Sequence, residues 1–132
     1  MSLVVDTHSL IWFLTRSPDL SSVARQAIGD TISSGHLVYV SSVTIVEVIY
    51  LTEKERLSRQ NLTDLKATLH RPDSGLKVVP FDLAIAEQLE SISRDQIPDM
   101  PDRMIAATAQ HLRLPLVTTD YRIQQSEVET IW

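Results

Sequence analysis

The sequence predicts an α/β fold built on a central parallel sheet of four to five strands. Three observations carry this. Short apolar runs of strand length recur along the chain, helix-period segments alternate with them, and no repeat, low-complexity tract or linker interrupts the pattern. Alternation of that kind implies parallel strands with helices on both faces. At 132 residues the chain reads as a single domain, 1–132, large enough to remove roughly two-thirds of its unfolded surface from water.

The elements follow in order. Leu3 to Val5 reads as the first strand, with a helical pattern from Thr7 to Thr15. Ser21 is placed to cap a helix with Val23, Ala24, Ala27, Ile28 and Ile32 on one side, and Gly35 breaks it. Leu37 to Val40 is a second strand, and Ser41 or Ser42 caps a largely buried helix that carries Glu47. Asn61 and Asp64 have the spacing of a cap and its N3 acid ahead of Leu65 and Leu69. After a loop at Arg71 to Gly75, Leu76 to Val79 forms a third strand closed by Pro80. Asp82 caps a helix bearing Ile85, Leu89 and Ile92, and Pro98 and Pro101 bracket a turn into the helix that opens at Asp102. Leu114 to Thr118 is the fourth strand and Val128 to Ile131 the fifth.

Composition narrows the function classes. Hydrophobic content of 43% and charge of 22% are ordinary for a soluble globular protein. No apolar run approaches the roughly 20 residues that span a bilayer, and nothing in the first residues reads as a signal peptide. The chain has no cysteine, which removes disulfides, thiol catalysis and thiolate metal sites and fits a reducing cytoplasm. A net charge of −5 argues against a general polyanion binder unless much of the deficit sits in one acidic cluster. Three glycines form no phosphate-binding loop, and no serine lies in a nucleophile-elbow pattern. The histidines show no metal-ligand spacing, although His8 stands near Asp6.

Four acids remain: Asp6, Glu47, Asp102 and Asp120, each at the edge of an apolar segment. A carboxylate beside a core costs free energy unless something compensates it. Local structure offers part of the answer. Asp6 and Asp120 can cap the segments after them, and Asp99 and Asp102 can act as an N-cap and its N3 acid. Glu47 lies beyond the reach of capping. A shared divalent cation would compensate all four, because carboxylate oxygens suit Mg²⁺ and Mn²⁺. Asp6 and Asp120 also fall at the carboxyl ends of strands, where open parallel sheets bind ligands.

These residues carry a resemblance. Val4-Val5-Asp6-Thr7-His8, the run Ser41 to Glu47, the run Asp99 to Ala109 and Leu116-Val117-Thr118-Thr119-Asp120 are similar to the motifs of PIN domains. They occur in order over nearly the whole length and are most similar to VapC-type ribonuclease toxins of bacterial toxin–antitoxin pairs. The resemblance implies a three-layer α/β/α fold and Mg²⁺- or Mn²⁺-dependent cleavage of RNA. It also implies a homodimer and a small antitoxin partner. Asp6, Glu47, Asp102 and Asp120 match the family's acidic quartet, with Asp6 and Asp102 expected as direct metal ligands. Asp99 matches an additional acid of some members, Thr118 a hydroxyl beside the site, and Asp120 a position often held by Asn. Arg103 is a candidate phosphate contact or surface ion-pair partner.

Two alternatives have other chemistry. A phosphoryl-receiver domain shares the size, the parallel sheet and an acidic Mg²⁺ pocket, but it needs paired acids after its first strand and a late lysine. Here Asp6 stands alone and the last lysine is Lys77. A catalytically inactive binding module is the other, and the complete quartet counts against it. For a partner, the apolar stretch Leu10 to Leu14 and the segment Leu51 to Leu69 both offer a docking surface.

Overall fold

The computed structural model describes residues 1–132. Strands β1 (Leu3–Val5), β2 (Val38–Ser41), β3 (Leu76–Val79), β4 (Leu116–Val117) and β5 (Thr130–Ile131) alternate with helices. The helices are α1 (Thr7–Leu14), α2 (Ser22–Ser33), α3 (Ser42–Glu53), α4 (Arg59–His70), α5 (Leu83–Gln88), α6 (Met100–Leu112) and α7 (Tyr121–Gln124). All strand pairs are parallel, in the order β3-β2-β1-β4-β5. The fold is the expected three-layer α/β/α arrangement with a five-stranded sheet.

Because successive side chains of a strand point to opposite faces, β1 feeds two cores at once. Leu3 and Val5 join Val38, Val40, Leu10, Ile28, Val48 and Leu65 on one face. Val4 joins Leu116, Ile105, Ala106, Ile85 and Ile123 on the other. All three β1 residues are buried, as a strand covered on both sides requires. Small residues let α6 lie close to the sheet: Ile105 through Ala109 are buried without interruption. No helix is long and apolar enough to cross a membrane.

The structure shifts some expected boundaries. Helix α4 is capped by Ser58, whose Oγ accepts from the Asn61 N–H at 3.1 Å, not by Asn61. The helix starts a turn earlier because Arg59 and Gln60 are good helix formers, and Gln60 reaches Asp64 at 2.7 Å across one turn. Helix α5 ends at Gln88 and tightens into a 3-10 turn at Leu89–Ser91, leaving Ile92 in extended backbone but still buried. Strand β4 starts two residues later than expected, because Pro115 has no N–H to donate; its carbonyl accepts from Val4 N instead, at 2.9 Å. Helix α3 is only part-buried: Val46 and Tyr50 are 54% and 59% exposed, Val43, Thr44, Val48 and Thr52 are buried, and Ile45 and Ile49 pack against the core while partly exposed.

The strand order places the functional end. From β1 the chain moves outward to β2 and β3 on one side, then returns to β4 and β5 on the other. Neighbouring connections therefore diverge between β1 and β4, leaving a crevice at the carboxyl ends of those two strands. Val5 is in register with Val117 there, and the Asp6 N–H donates to Val117 O at 3.2 Å.

Candidate functional site

The acids come from four places in the fold: Asp6 after β1, Glu47 in α3, Asp99 and Asp102 at the start of α6, and Asp120 after β4. Asp6 is the first residue past β1 and caps α1, its Oδ1 accepting from Ser9 N at 2.9 Å. It is buried, at 8% exposure. Asp120 follows β4 and caps α7, its Oδ1 accepting from Arg122 N at 2.8 Å and Ile123 N at 3.1 Å. Thr118 is fully buried, and its hydroxyl accepts from the Asp120 N–H at 3.0 Å, fixing the turn that presents the acid. Asp99 caps α6, with Oδ2 accepting from Asp102 N at 3.1 Å. The capping explanations thus hold for Asp6, Asp99 and Asp120. They do not exclude a second role, since a carboxylate has lone pairs beyond those that face the helix.

Glu47 is explained differently. It is half-buried within α3, and the Thr7 hydroxyl donates to its Oε1 at 2.5 Å. Thr7 Oγ1 also lies 3.1 Å from Thr44 Oγ1, so one buried hydroxyl ties the start of α1 to α3. Sequence reasoning passed over Thr7. The available signal was its place directly after Asp6, at the first position of a helix, where a hydroxyl faces the same crevice as the acid before it.

Electrostatics show that the acids share one neighbourhood. The Asp102 carboxyl is pushed up to about 8, first by burial, then by the charges of Asp99 and Asp120, the hydrogen-bonding capacity of Asp120 and the charge of Glu47. Glu47 is raised by burial and by Asp99 and Asp6, against the Thr7 hydrogen bond and a pull from His8. Asp102 feels Asp99, Asp120 and Glu47, and Glu47 feels Asp99 and Asp6, although the chain separates several of them widely. No lysine or arginine balances them. The one ion pair of the molecule joins Arg71 to Asp73, on the exposed surface.

Arg103 is not that balance either. Its Nε donates to Ile92 O at 2.9 Å and its guanidinium to Leu89 O at 3.1 Å. It is in no ion pair, and its side chain clamps the 3-10 turn onto α6. Three apolar side chains instead stand exposed beside the acids. Val46 precedes Glu47, Met100 follows Asp99 and Tyr121 follows Asp120, with exposures of 54%, 69% and 71%.

The donor set suits a hard divalent cation in kind: all carboxylate oxygen, unpaired with cations, and strained enough that Asp102 holds its proton. The spacing is looser. No three of the acids and histidines stand close enough to grip a single ion together. Mutual repulsion favours this spread, and Mg²⁺ tolerates it, since it takes one or two carboxylates and completes its shell with water.

Comparisons with known proteins agree with the fold. The model of the PIN domain family matches residues 3–128. Among solved structures, the chain is similar to VapBC2 from Rickettsia felis bound to a promoter DNA fragment, with TM-score 0.75 and 18% identity over 98% of this chain and 97% of that one. It is also similar to DNA-bound VapBC from Salmonella typhimurium, with TM-score 0.73 and 22% identity over 98% and 96%. FitAcB from Neisseria gonorrhoeae matches with TM-score 0.62 and 23% identity over 98% and 96%. A comparison with curated proteins gives no match.

Proposed function

The chain belongs to the PIN domain family, and from that premise we propose that it is a VapC-type toxin, a divalent-metal-dependent endoribonuclease. One observation carries the reading. Acids from the ends of β1 and β4, from α3 and from α6 lie near enough that Asp102 and Glu47 feel their charges, and no cationic side chain pairs with them. Asp6 and Asp102 are the proposed direct ligands of Mg²⁺ or Mn²⁺. Glu47 and Asp120 hold the ion directly or through water, and Asp99 is a possible fifth member. When bound, the cation neutralises charge on the scissile phosphate and makes water more acidic.

The chain's own residues have distinct parts. Thr7 holds the Glu47 carboxylate in one orientation. Thr118 sets the turn that aims Asp120. One of the ionised carboxylates takes the proton from the attacking water. Burial at the sheet edge strengthens each of these interactions relative to bulk water.

Partners follow from the same reading. A solved structure similar to this chain is a toxin–antitoxin complex from Klebsiella pneumoniae, and an antitoxin needs a surface to hold. A groove of about 100 Å³ lies between α1, α3 and α4, lined by Leu10, Ile11, Leu14, Val48, Leu57 and Leu65. Its walls come from both segments that the sequence offered, Leu10 to Leu14 and Leu51 to Leu69. An apolar face of an antitoxin helix suits such a groove. The exposed pair Val46 and Tyr50, one turn apart on α3, supports a second copy of the chain as a further partner.

The test is cleavage of total RNA with Mg²⁺, with Mn²⁺ and with EDTA, mapping the ends produced. Asp6→Asn should lose cleavage by at least about 100-fold while keeping its fold, on the scale of losing charge stabilisation at a reacting centre. Full cleavage by a well-folded Asp6→Asn protein would remove the assignment.

A further inference from the structure

A depression of about 310 Å³ beside the acids is lined by Gln96, Tyr121, Arg122 and Gln125. Its walls are the two segments that deliver acids. Gln96 lies in the loop leading to Asp99, and Tyr121 follows Asp120. The Asp120 carboxylate itself accepts from the Arg122 N–H, so the acid and the depression share one turn. Asp102 feels both Asp99 and Asp120, which links the two walls electrostatically.

The side chains here are unused by the fold. Gln60, Gln88, Gln110 and Gln124 each spend their amides on intramolecular hydrogen bonds, whereas Gln26, on exposed α2 surface, does not. Gln96 and Gln125 make no side-chain hydrogen bond, nor do Tyr121 and Arg122, and Arg122 is in no ion pair. Tyr121 is 71% exposed, although it is a large ring next to a helix cap. A solvent-facing ring, two free amides and a free guanidinium in one hollow are the groups that hold a single-stranded nucleotide. The ring stacks on the base, the amides read its edge, and the guanidinium meets phosphate.

We propose that this depression is a nucleobase subsite that seats the base flanking the cleaved phosphate. It rests on the ribonuclease reading for its role, but its binding is testable without cleavage. The probe is a set of labelled homopolymeric oligoribonucleotides of A, C, G and U. Their binding to the full chain is measured at low salt, with Ca²⁺ supplied to neutralise the acids. Tyr121→Phe should bind like the wild type, and Tyr121→Ala roughly tenfold more weakly, the range of one lost base stack. Gln96→Ala combined with Gln125→Ala should narrow the preference among the four homopolymers.

All these side chains are exposed, so circular dichroism should show unchanged folds. Equal binding by Tyr121→Ala and wild type, or no measurable binding by the wild type, overturns the subsite. If Tyr121-dependent binding persists while wild-type protein with Mg²⁺ leaves RNA intact, the cleavage reading falls and the subsite stands. If wild type cleaves and Tyr121→Ala binds and cuts the same ends equally well, the cleavage reading stands and the subsite falls.

Discussion

Asp102 holds a proton that an ordinary aspartate has lost. Its carboxyl is raised from 3.8 to about 8 because burial and three neighbouring acids oppose its charge. The unfolded chain releases that proton near 3.8, whereas the folded chain keeps it to about 8. Within that window the folded state binds more protons, so this group's contribution to stability falls as pH rises, and it levels off above about 8. Glu47 is raised for the same first reason and adds in the same direction. Thermal melts in EDTA at pH 5 and pH 8 check this. Asp102→Asn should gain stability relative to wild type as pH increases, and parallel curves for the two proteins would contradict it.

At the scale of elements, the notable piece is the 3-10 turn Leu89–Ser91 that replaces the last turn expected of α5. Helix-period apolar residues continue through Ile92, so periodicity alone reads one helix. The structure ends it because Arg103 takes two carbonyls, Leu89 O and Ile92 O, that a continuing helix would need. Arg103→Ala should cost about 1.5–3 kcal/mol, the range for hydrogen bonds from a charged donor. Hydrogen exchange should rise between residues 89 and 97 while the sheet stays protected. An unchanged exchange pattern there would show that the clamp is dispensable. The turn bears on the site indirectly, since α6 carries Asp102 and its N-cap Asp99.

At the scale of the whole molecule, the adjacency of β1 and β4 sets Asp6 and Asp120 at the ends of neighbouring strands, and the proposed metal site depends on it. Folding brings like charges within reach of Asp102 and Glu47, and under the proposed function a bound divalent cation should relieve them. Mg²⁺ at 100 times its dissociation constant should add about 2.7 kcal/mol to stability. The gain should be larger at pH 8 than at pH 6, because the proton on Asp102 competes with the metal at lower pH. Melting temperatures with and without Mg²⁺ measure it, with Asp6→Asn expected to show a much smaller shift. A shift of equal size in Asp6→Asn would place the cation elsewhere.

Much of this was legible in the chain. Apolar runs and helix-period segments announced strands, helices and a parallel sheet, because burial on two faces writes itself into composition. The isolation of Glu47 was visible too, since no cap reaches that far into a helix. Caps and boundaries were less legible. Ser58 and Asn61 offer equivalent side-chain oxygens, and local sequence does not rank them. The order β3-β2-β1-β4-β5, the partner of Glu47 and the clamp of Arg103 were decided by tertiary structure alone. The physical reason is that these depend on contacts between residues far apart in sequence. Thr7 meets Glu47 across 40 positions, and Val5 meets Val117 only when a strand crosses the sheet. Sequence by itself determined which residues carry charge next to a core. Only the fold buried Asp102 within reach of Asp99, Asp120 and Glu47 and so pushed its carboxyl up to about 8.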